Sequence, residues 1–257
     1  MSSWIHYMPD IQNLKYDISG LTTLKDEGIK EIGSRLEDLG NLIKIELKLG
    51  DLTSMTERGF YWLVGGLKSQ KNICEIHLDL SNWSKLSSIG LSDNFSILFE
   101  GLPYVQKMII NLSLIPTMDN KTLTACFKNL KKMNSLQNLS IKVAKCVALT
   151  NQAIIDVGTS LAAMPSLAYL ACDFSGLPQT DDKMVKGFAL ALKKAKKLTN
   201  LALNLSSNLN LTKNSIEKLL EACNGIKSLV YLEADFSKCE LIRTNCVKLT
   251  DYLIYMQ

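Results

Sequence analysis

Arginine, histidine and long hydrophobic runs are all scarce in this sequence of 257 residues. Only three of its 29 basic residues are arginine, which is the residue best suited to bidentate contacts with phosphates and base edges. With a net charge of only +4, the chain is not expected to bind nucleic acid. No apolar run approaches the ~18 residues that a membrane span requires, so no membrane association is expected either.

Patterns typical of catalytic or metal sites are also missing. The two histidines, His6 and His77, are far apart in the sequence, and the seven cysteines show no CxxC or Cys/His spacing. Neither a Walker loop nor a nucleophile elbow occurs. We therefore expect no catalytic residue, no cofactor and no metal, and predict that the chain is not an enzyme.

The cysteine pattern and the first residues of the chain indicate the cellular compartment. An odd number of cysteines without a paired arrangement is typical of reduced thiols in the cytosol, and no secretory signal pattern opens the sequence. Seven N-x-S/T sequons would favour secretion, but Asn111 and Asn204 fall in the middle of predicted strands, a poor place for a glycan. We expect a cytoplasmic protein.

What the chain does contain is one eight-residue pattern, apolar-x-x-apolar-x-apolar-x-apolar, that occurs eight times. Successive copies start 31 residues apart, except for one interval of 32. The copies are IQNLKYDI (11–18), LIKIELKL (42–49), ICEIHLDL (73–80), VQKMIINL (105–112), LQNLSIKV (136–143), LAYLACDF (167–174), LTNLALNL (198–205) and LVYLEADF (229–236). Such a regular period over the full length predicts a repeat protein.

Each repeat unit is predicted to contain a strand, a turn and a helix. The alternation within each copy is that of a half-buried strand. Residues three and six positions beyond it are apolar in most units and are predicted to point inward, as with Leu21 and Leu24 in the first unit. An amphipathic helix should follow, carried by Ile29, Ile32, Leu36 and Leu39 in the first unit and by Leu123, Cys126, Leu130 and Met133 in the fourth.

Stacking these units predicts a single domain over residues 1–257. Each unit ends where the next begins, so the strands must be parallel neighbours. Strands lie about 4.8 Å apart and helix axes about 10 Å apart, so the stack should curve with its helices outside. We expect an α/β solenoid with eight repeats over residues 11–257, preceded by an N-terminal segment or minimal cap over residues 1–10.

These features resemble the leucine-rich repeat proteins, in particular the long-repeat, ribonuclease-inhibitor-like class with a helix in each unit. The family's asparagine or cysteine position after the strand is occupied by Cys146, Asn208 and Cys239, and by leucine, isoleucine or tryptophan in the other units. The even apolar fourth strand position and the irregular asparagine positions resemble leucine-rich repeats of protists, and the Lys- and Asn-rich, Arg-poor composition is typical of an AT-rich genome. The resemblance implies a curved horseshoe that binds other proteins rather than a catalyst.

The predicted concave face is formed by the residues between the apolar ones. One column contains Asp17, Lys48, Asp79, Asn111, Lys142, Asp173, Asn204 and Asp235, and a second contains Lys15, Glu46, His77, Ile109, Ser140, Ala171, Ala202 and Glu233. We predict a protein-binding surface that includes Glu46, Lys48, His77, Asp79, Ile109, Asn111, Lys142 and Asp173. The alternatives are modest cross-strand pairing for the charged column and a solvated histidine beside Glu46 for His77.

Two further groups of residues have both functional and structural interpretations. Tyr61 and Trp62 occupy outward positions of the second helix, where adjacent aromatics favour protein contacts; the alternative is that Trp62 packs against a neighbouring helix. Cysteines at inward positions are interpreted as packing residues rather than redox groups. They are Cys126, Cys146, Cys172, Cys223 and Cys239.

The ends of the repeat array bear on function. Solenoids usually end in polar capping units, but the first repeat begins by residue 11 and the last strand, LVYLEADF, is expected to have an uncovered edge. Either MSSWIHYMP and YLIYMQ act as minimal caps or another protein covers the ends. We expect a non-enzymatic scaffold that is a structural subunit of a larger cytosolic, cytoskeletal or ciliary hetero-complex. The alternative is a transient regulatory adaptor or enzyme inhibitor that binds through the concave face.

Overall fold

The computed structural model describes residues 10–242 and the backbone of residues 248–249. Its centre is one sheet in which nine strands follow one another in chain order, and the first eight are parallel. The strands are β1 (Asn13–Asp17), β2 (Lys44–Lys48), β3 (Glu75–Asp79), β4 (Lys107–Asn111), β5 (Asn138–Lys142), β6 (Tyr169–Asp173), β7 (Asn200–Asn204), β8 (Tyr231–Asp235) and β9 (Lys248–Leu249).

One helix follows each of the first seven strands and returns the chain to the start of the next. The helices are α1 (Asp26–Glu37), α2 (Glu57–Ser69), α3 (Ser88–Gly101), α4 (Asn120–Phe127), α5 (Asn151–Ala162), α6 (Asp182–Leu192) and α7 (Lys213–Cys223). Within the described part of the chain, no helix is long and apolar enough to cross a membrane.

The predicted repeat is confirmed. Every one of the eight sequence copies contains one five-residue strand, and equivalent residues of successive copies are partners in the sheet, as in Ile45 with Ile76 and Leu170 with Leu201. The one interval of 32 residues does not disturb this register, because the extra residue lies outside the strands, in the connection that contains the longest helix, α3. The fold is a leucine-rich-repeat-type α/β solenoid.

The core lies between the sheet and the helices and runs along the whole stack. The second and fourth residues of β2 to β8 are buried, as in Ile45 and Leu47, whereas in β1 Leu14 is buried and Tyr16 only half-buried. The inward turn positions are buried as predicted in every repeat after the first, including Trp83 and Asn208. In the fourth unit the helix is shorter than predicted: α4 ends at Phe127, and Leu130 enters the core from a 3-10 turn, Leu130–Lys132.

The first repeat differs from the others at its turn. Leu21 was predicted to point inward, but its side chain is 38% exposed, and Leu24 is only half-buried. The reason is position in the stack, because an inward turn residue is covered from both sides only when a repeat precedes its own. Residues 1–9, the greater part of the predicted N-terminal segment, lie outside the described residues.

The other end of the sheet corrects a second expectation. The edge of β8 was predicted to be uncovered, but β9 pairs with it in the antiparallel sense, with Ala234 opposite Leu249 and Asp235 opposite Lys248. Because β9 runs in the direction opposite to the eight parallel strands, it ends the parallel array. It pairs with two residues of β8, so the edge of β8 is partly paired. The YLIYMQ segment and the predicted eighth helix fall outside the described residues.

Candidate functional site

Three columns of side chains cross the strands on the face of the sheet opposite the helices, which we call the concave face. They come from the first, third and fifth residues of each strand, and we name them the outer, central and turn columns. The central and turn columns are the two predicted from the sequence, and the strand register confirms both alignments. The outer column was missed. It contains Asn13, Lys44, Glu75, Lys107, Asn138, Tyr169, Asn200 and Tyr231.

The C-terminal half of the concave face contains a continuous depression, the trough, which has two parts. The first part, the apolar depression, has a volume of about 430 Å³. Small residues, Ser140 and Ala171, form its floor beside Ile109, and Tyr169 and Lys107 of the outer column border it. Space exists here because the central column changes from large to small side chains after β4.

The second part of the trough, the acidic depression, has a volume of about 250 Å³. It shares Ser140 and Ala171 with the apolar depression and continues over Ala202 of β7. Three carboxylates and one lysine border it: Asp173, Glu233, Asp235 and Lys142. Within the described residues, neither Asp173 nor Glu233 has a cation within ion-pairing distance, and Glu233 Oε2 accepts a hydrogen bond from the Tyr231 hydroxyl at 3.2 Å.

The N-terminal half of the concave face is instead filled by paired charges. Glu46 Oε1 lies 3.1 Å from Lys15 Nζ and 3.7 Å from Lys48 Nζ. Glu75 Oε1 lies 2.9 Å from Lys44 Nζ and 3.0 Å from Lys107 Nζ. These hydrogen-bonded cations, Lys15 for Glu46 and Lys44 for Glu75, hold the pKa of both carboxyl groups below the usual range.

His77 lies within this charged half. Its Nδ1 is 3.8 Å from Glu46 Oε1, a contact that favours the protonated ring. Burial opposes this attraction and is the larger effect, so the pKa of His77 is lowered from its ordinary value of 6.5. Lys142 and Lys48 add to the lowering. His77 is therefore mostly neutral at pH 7, and the expected neighbour Glu46 is indeed beside it.

The side chains of the turn column also form hydrogen bonds that end the strands, a structural role that was not predicted from the sequence. At six of its eight positions an Asp or Asn Oδ1 accepts a hydrogen bond from the backbone N–H of a serine two residues later, as in Asp79 to Ser81 at 2.9 Å, Asn111 to Ser113 at 3.1 Å and Asp173 to Ser175 at 3.0 Å. Such Asx turns end six of the first eight strands. The signal was present in the sequence, because the two exceptions, Lys48 and Lys142, are followed by Gly50 and Ala144 instead of serine.

Cross-strand ion pairing in the turn column is only partial. Lys48 Nζ lies 3.7 Å from Asp17 Oδ2. Within the described residues, no ion pair joins Lys142 to Asp173, although the two are register partners on β5 and β6. The expected pairing therefore holds for Lys48 with Asp17 but, among the described residues, neither for Lys48 with Asp79 nor for Lys142 with Asp173.

Tyr61 and Trp62 do not join the concave face, because both lie on α2. Tyr61 is 58% exposed. Trp62 is half-buried, and two cations lie against its ring, Arg58 Cζ at 4.6 Å and Lys30 Nζ of the neighbouring α1 at 5.1 Å from the ring centroid. The alternative in which Trp62 packs against a neighbouring helix is the arrangement observed, so Tyr61 is the only member of the pair that presents most of its side chain.

The buried cysteines agree with a packing role. Cys126, Cys146, Cys172, Cys223 and Cys239 are all buried. Burial raises the pKa of the Cys146 thiol to about 11 and that of Cys223 to about 12, which leaves little reactive thiolate at neutral pH. Among residues 10–242, no group of three or more His, Cys, Asp or Glu side chains is arranged to hold a metal ion.

No protein-family model and no curated protein matches the sequence. Solved structures do resemble the fold. The tropomodulin C-terminal domain of Caenorhabditis elegans is 13% identical with a TM-score of 0.42, and the match covers 76% of this chain and 92% of that one. Leiomodin-1 actin-binding site 2 is 12% identical with a TM-score of 0.38, over 74% and 84% of the two chains. TLR13 in its complex with ssRNA13 is 17% identical with a TM-score of 0.38, over 89% and 36%. The fold assignment depends on the strand register and not on these distant likenesses.

Proposed function

We propose that the chain is a non-enzymatic scaffold that binds another protein through the trough on its concave face. The observation that carries the proposal is the trough itself. Its floor of Ser140, Ala171 and Ala202 leaves room above the sheet. Ile109 stands at the β4 end of this space, and the carboxylates of Asp173 and Glu233, which have no ion-pair partner among the described residues, border its other end. A concave surface that combines apolar area with a few polar groups is suited to a ligand.

The residues predicted from the sequence contribute unequally to this proposal. Ile109, Lys142 and Asp173 line the trough. Glu46, Lys48, His77 and Asp79 lie in the paired N-terminal half, where a partner would have to displace existing ion pairs, so we assign them a secondary part in binding. Asn111 ends β4 between the two halves.

The finer proposal is that this scaffold is a fixed subunit of a hetero-complex in the cytoplasm, of a cytoskeletal or ciliary kind, in a protist. Apolar surface at the first repeat supports a fixed subunit: Tyr16, Ile18, Leu21 and Leu24, together with Glu31, line a hollow of about 210 Å³ at the end of the stack. An apolar end of this kind is more stable when it is covered. The runner-up is a transient adaptor or inhibitor, which would use the trough alone.

The native mass of the endogenous protein, measured in cell extract together with cross-linking, separates the two. A large, salt-resistant particle with cross-links to the first repeat and the trough would support the subunit. A mass near 28.6 kDa would favour the adaptor. Filling the trough with Ala171→Trp should remove trough cross-links, whereas Tyr61→Ala is the control on the helix side. Unchanged cross-linking in Ala171→Trp together with its loss in Tyr61→Ala would move the binding site to α2.

A further inference from the structure

The two parts of the trough differ in chemistry, and their spacing restricts what can occupy both. The apolar depression is centred on β5, because it is lined by residues of β4, β5 and β6. The acidic depression is lined by residues of β5 to β8 and is centred between β6 and β7. With neighbouring strands about 4.8 Å apart, the two centres lie roughly 7 Å apart across the strands.

The acidic depression has a place for a positive charge. Asp173 on β6 and Glu233 on β8 border the depression from either side of β7. Glu233 lies directly opposite Ala202 in the register, whereas Asp173 lies opposite Asn204, two residues further along the strands. A long basic side chain above Ala202 would therefore lie between the two carboxylates, about 4.8 Å from the backbone of Glu233 and roughly 8 Å from that of Asp173, given the strand geometry. Asp173 uses Oδ1 in its Asx turn, and among the described residues its second carboxylate oxygen, Oδ2, has no cation within ion-pairing distance. Asp235, the third carboxylate of the acidic depression, has Lys248 opposite it in the strand register.

Among the described residues, no lysine or arginine forms an ion pair with Asp173 or Glu233. Lys142 is the register neighbour of Asp173, yet within the described residues it forms no ion pair with it. In the N-terminal half, by contrast, Glu46 and Glu75 each have two lysines within 4 Å. Charge complementarity therefore favours a basic ligand group in the C-terminal half alone.

We propose that the trough binds an extended segment of a partner protein in the pattern apolar-x-basic, with the apolar side chain over Ser140 and the lysine or arginine over Ala202. This inference depends on the proposed function and deepens it. Side chains two residues apart in an extended segment project to the same side and lie about 7 Å apart, which matches the spacing of the two depressions. The apolar side chain would contact Ile109 and Tyr169, and the basic one Asp173 and Glu233.

The test uses the full chain and a random-peptide library displayed on phage, followed by fluorescence anisotropy with one recovered peptide made by synthesis. The peptides recovered should share the apolar-x-basic pattern in either direction. Glu233→Lys should weaken binding by roughly 10-fold, as expected for a close charge pair at an interface. Glu217→Lys, the same change on exposed α7, is the matched control and should leave affinity unchanged.

A charge exchange makes the test specific. Replacing the basic residue of the peptide by Glu should weaken binding to the unaltered chain and restore it to Glu233→Lys. Ala171→Trp and Ser140→Trp each fill the trough and should both abolish binding, and circular dichroism checks that each variant is folded.

The outcomes separate the inference from the proposed function. If trough-filling removes binding but Glu233→Lys does not, or if helical apolar-xxx-basic peptides are recovered instead, the extended basic segment is wrong while a protein-binding trough stands. If none of the trough variants changes the affinity for the peptide, both proposals are wrong. Recovery of no peptide overturns the inference alone, since the cross-linking experiment tests the proposed function independently.

Discussion

The two halves of the concave face are built on the same repeat but end in different surfaces. From β1 to β4, carboxylates and lysines alternate and neutralise one another, with Glu46 and Glu75 each held by two lysines. From β5 to β7, the central column is small, and the carboxylates Asp173 and Glu233 of the C-terminal half have no such partner among the described residues. In the first half the lysines and glutamates pair with one another. In the second half, space and carboxylates without ion-pair partners remain for a ligand.

The inward turn positions differ between the halves as well. In the first four repeats this position is apolar: Leu21, Leu52, Trp83 and Ile115. In the last four it is polar or sulfur-bearing at Cys146, Asn208 and Cys239, each of which donates to a backbone carbonyl of the preceding repeat. Trp83 does the same through its indole N–H at 2.5 Å. At this inward turn position, side-chain hydrogen bonds to the preceding repeat therefore occur mainly in the C-terminal half. The following changes test these contrasts.

The largest effect is expected from Asn208→Leu. Asn208 is fully buried, donates to Phe174 O at 2.9 Å and accepts from Leu177 N at 2.7 Å. Leucine would leave both backbone groups unpaired, at a cost of about 3 kcal/mol in the free energy of unfolding. Urea denaturation measures the loss. Asn210→Leu, the same change at an exposed position, should cost less than about 0.5 kcal/mol, and equal losses for the two would contradict the buried hydrogen bonds as the cause.

Gly66→Ala should have the next largest effect and tests the helix side of the N-terminal half. A Cβ at Gly66 would lie 2.8 Å from Gly33 Cα on α1 and closer still to the Gly33 carbonyl, so two helix backbones would have to separate. We expect destabilisation of about 2 kcal/mol. Gly65→Ala, one residue away with nothing within 4 Å, should stabilise the helix by about 0.5–1 kcal/mol.

The same glycine-to-alanine change in the C-terminal half, Gly187→Ala, tests whether the two halves differ in helix packing. A Cβ at Gly187 would meet only the side chain of Ile155, which can rotate away, so Gly187→Ala should cost less than Gly66→Ala. Thermal denaturation of the three alanine variants ranks them directly. A loss at Gly187 as large as that at Gly66 would show that close backbone contact is not special to α1 and α2.

A smaller effect is expected from isosteric neutralisation of one carboxylate in each half. Glu75→Gln should lower the free energy of unfolding by about 0.5–1 kcal/mol at low ionic strength, and by less at high salt, because two exposed lysines lose their partner. Since the pKa of Glu75 is lowered by Lys44 and Lys107, the difference should also shrink as pH falls through that group's titration. Glu233→Gln should cause no loss. Destabilisation by both changes would remove the contrast between the halves.

The smallest effect is expected in the pH dependence of the free energy of unfolding, through the titration of His77. Because burial lowers the pKa of His77 below 6.5, the folded chain binds fewer protons than the unfolded chain as pH falls below that value, and the free energy of unfolding should fall with it. His77→Gln should flatten the dependence between about pH 7.5 and 5.5. Urea denaturation at several pH values measures it. A steeper fall in the variant would mean that Glu46 outweighs burial and raises the pKa instead.

The strands, the inward positions and the alignment of the central and turn columns could all be predicted from the period of the sequence, because a parallel array with one strand per repeat leaves little choice of register. The Asx turns could also have been predicted, since Asp or Asn at a strand end is always accompanied by serine two residues later. The outer column follows from the same alternation, one step earlier in each strand.

Other features could not be predicted because they depend on what lies next to a residue in space. The exposure of Leu21 depends on its place at the end of the stack. The position of Trp62 depends on cations from its own helix and from α1. The pairing of β9 with β8 reverses the direction of every earlier strand, and a pattern that repeats in one direction carries no sign of that reversal.

The repeat period alone requires a solenoid, since each unit can bury its apolar face only against the next. The same period fixes which side chains share a column. Which parts of those columns are closed by ion pairs and which stay open depends on the folded chain, because pairing depends on atomic distances between strands. Ser140, Ala171 and Ala202 are small in the sequence, but they become the floor of a trough only when Ile109, Tyr169 and Glu233 stand around them.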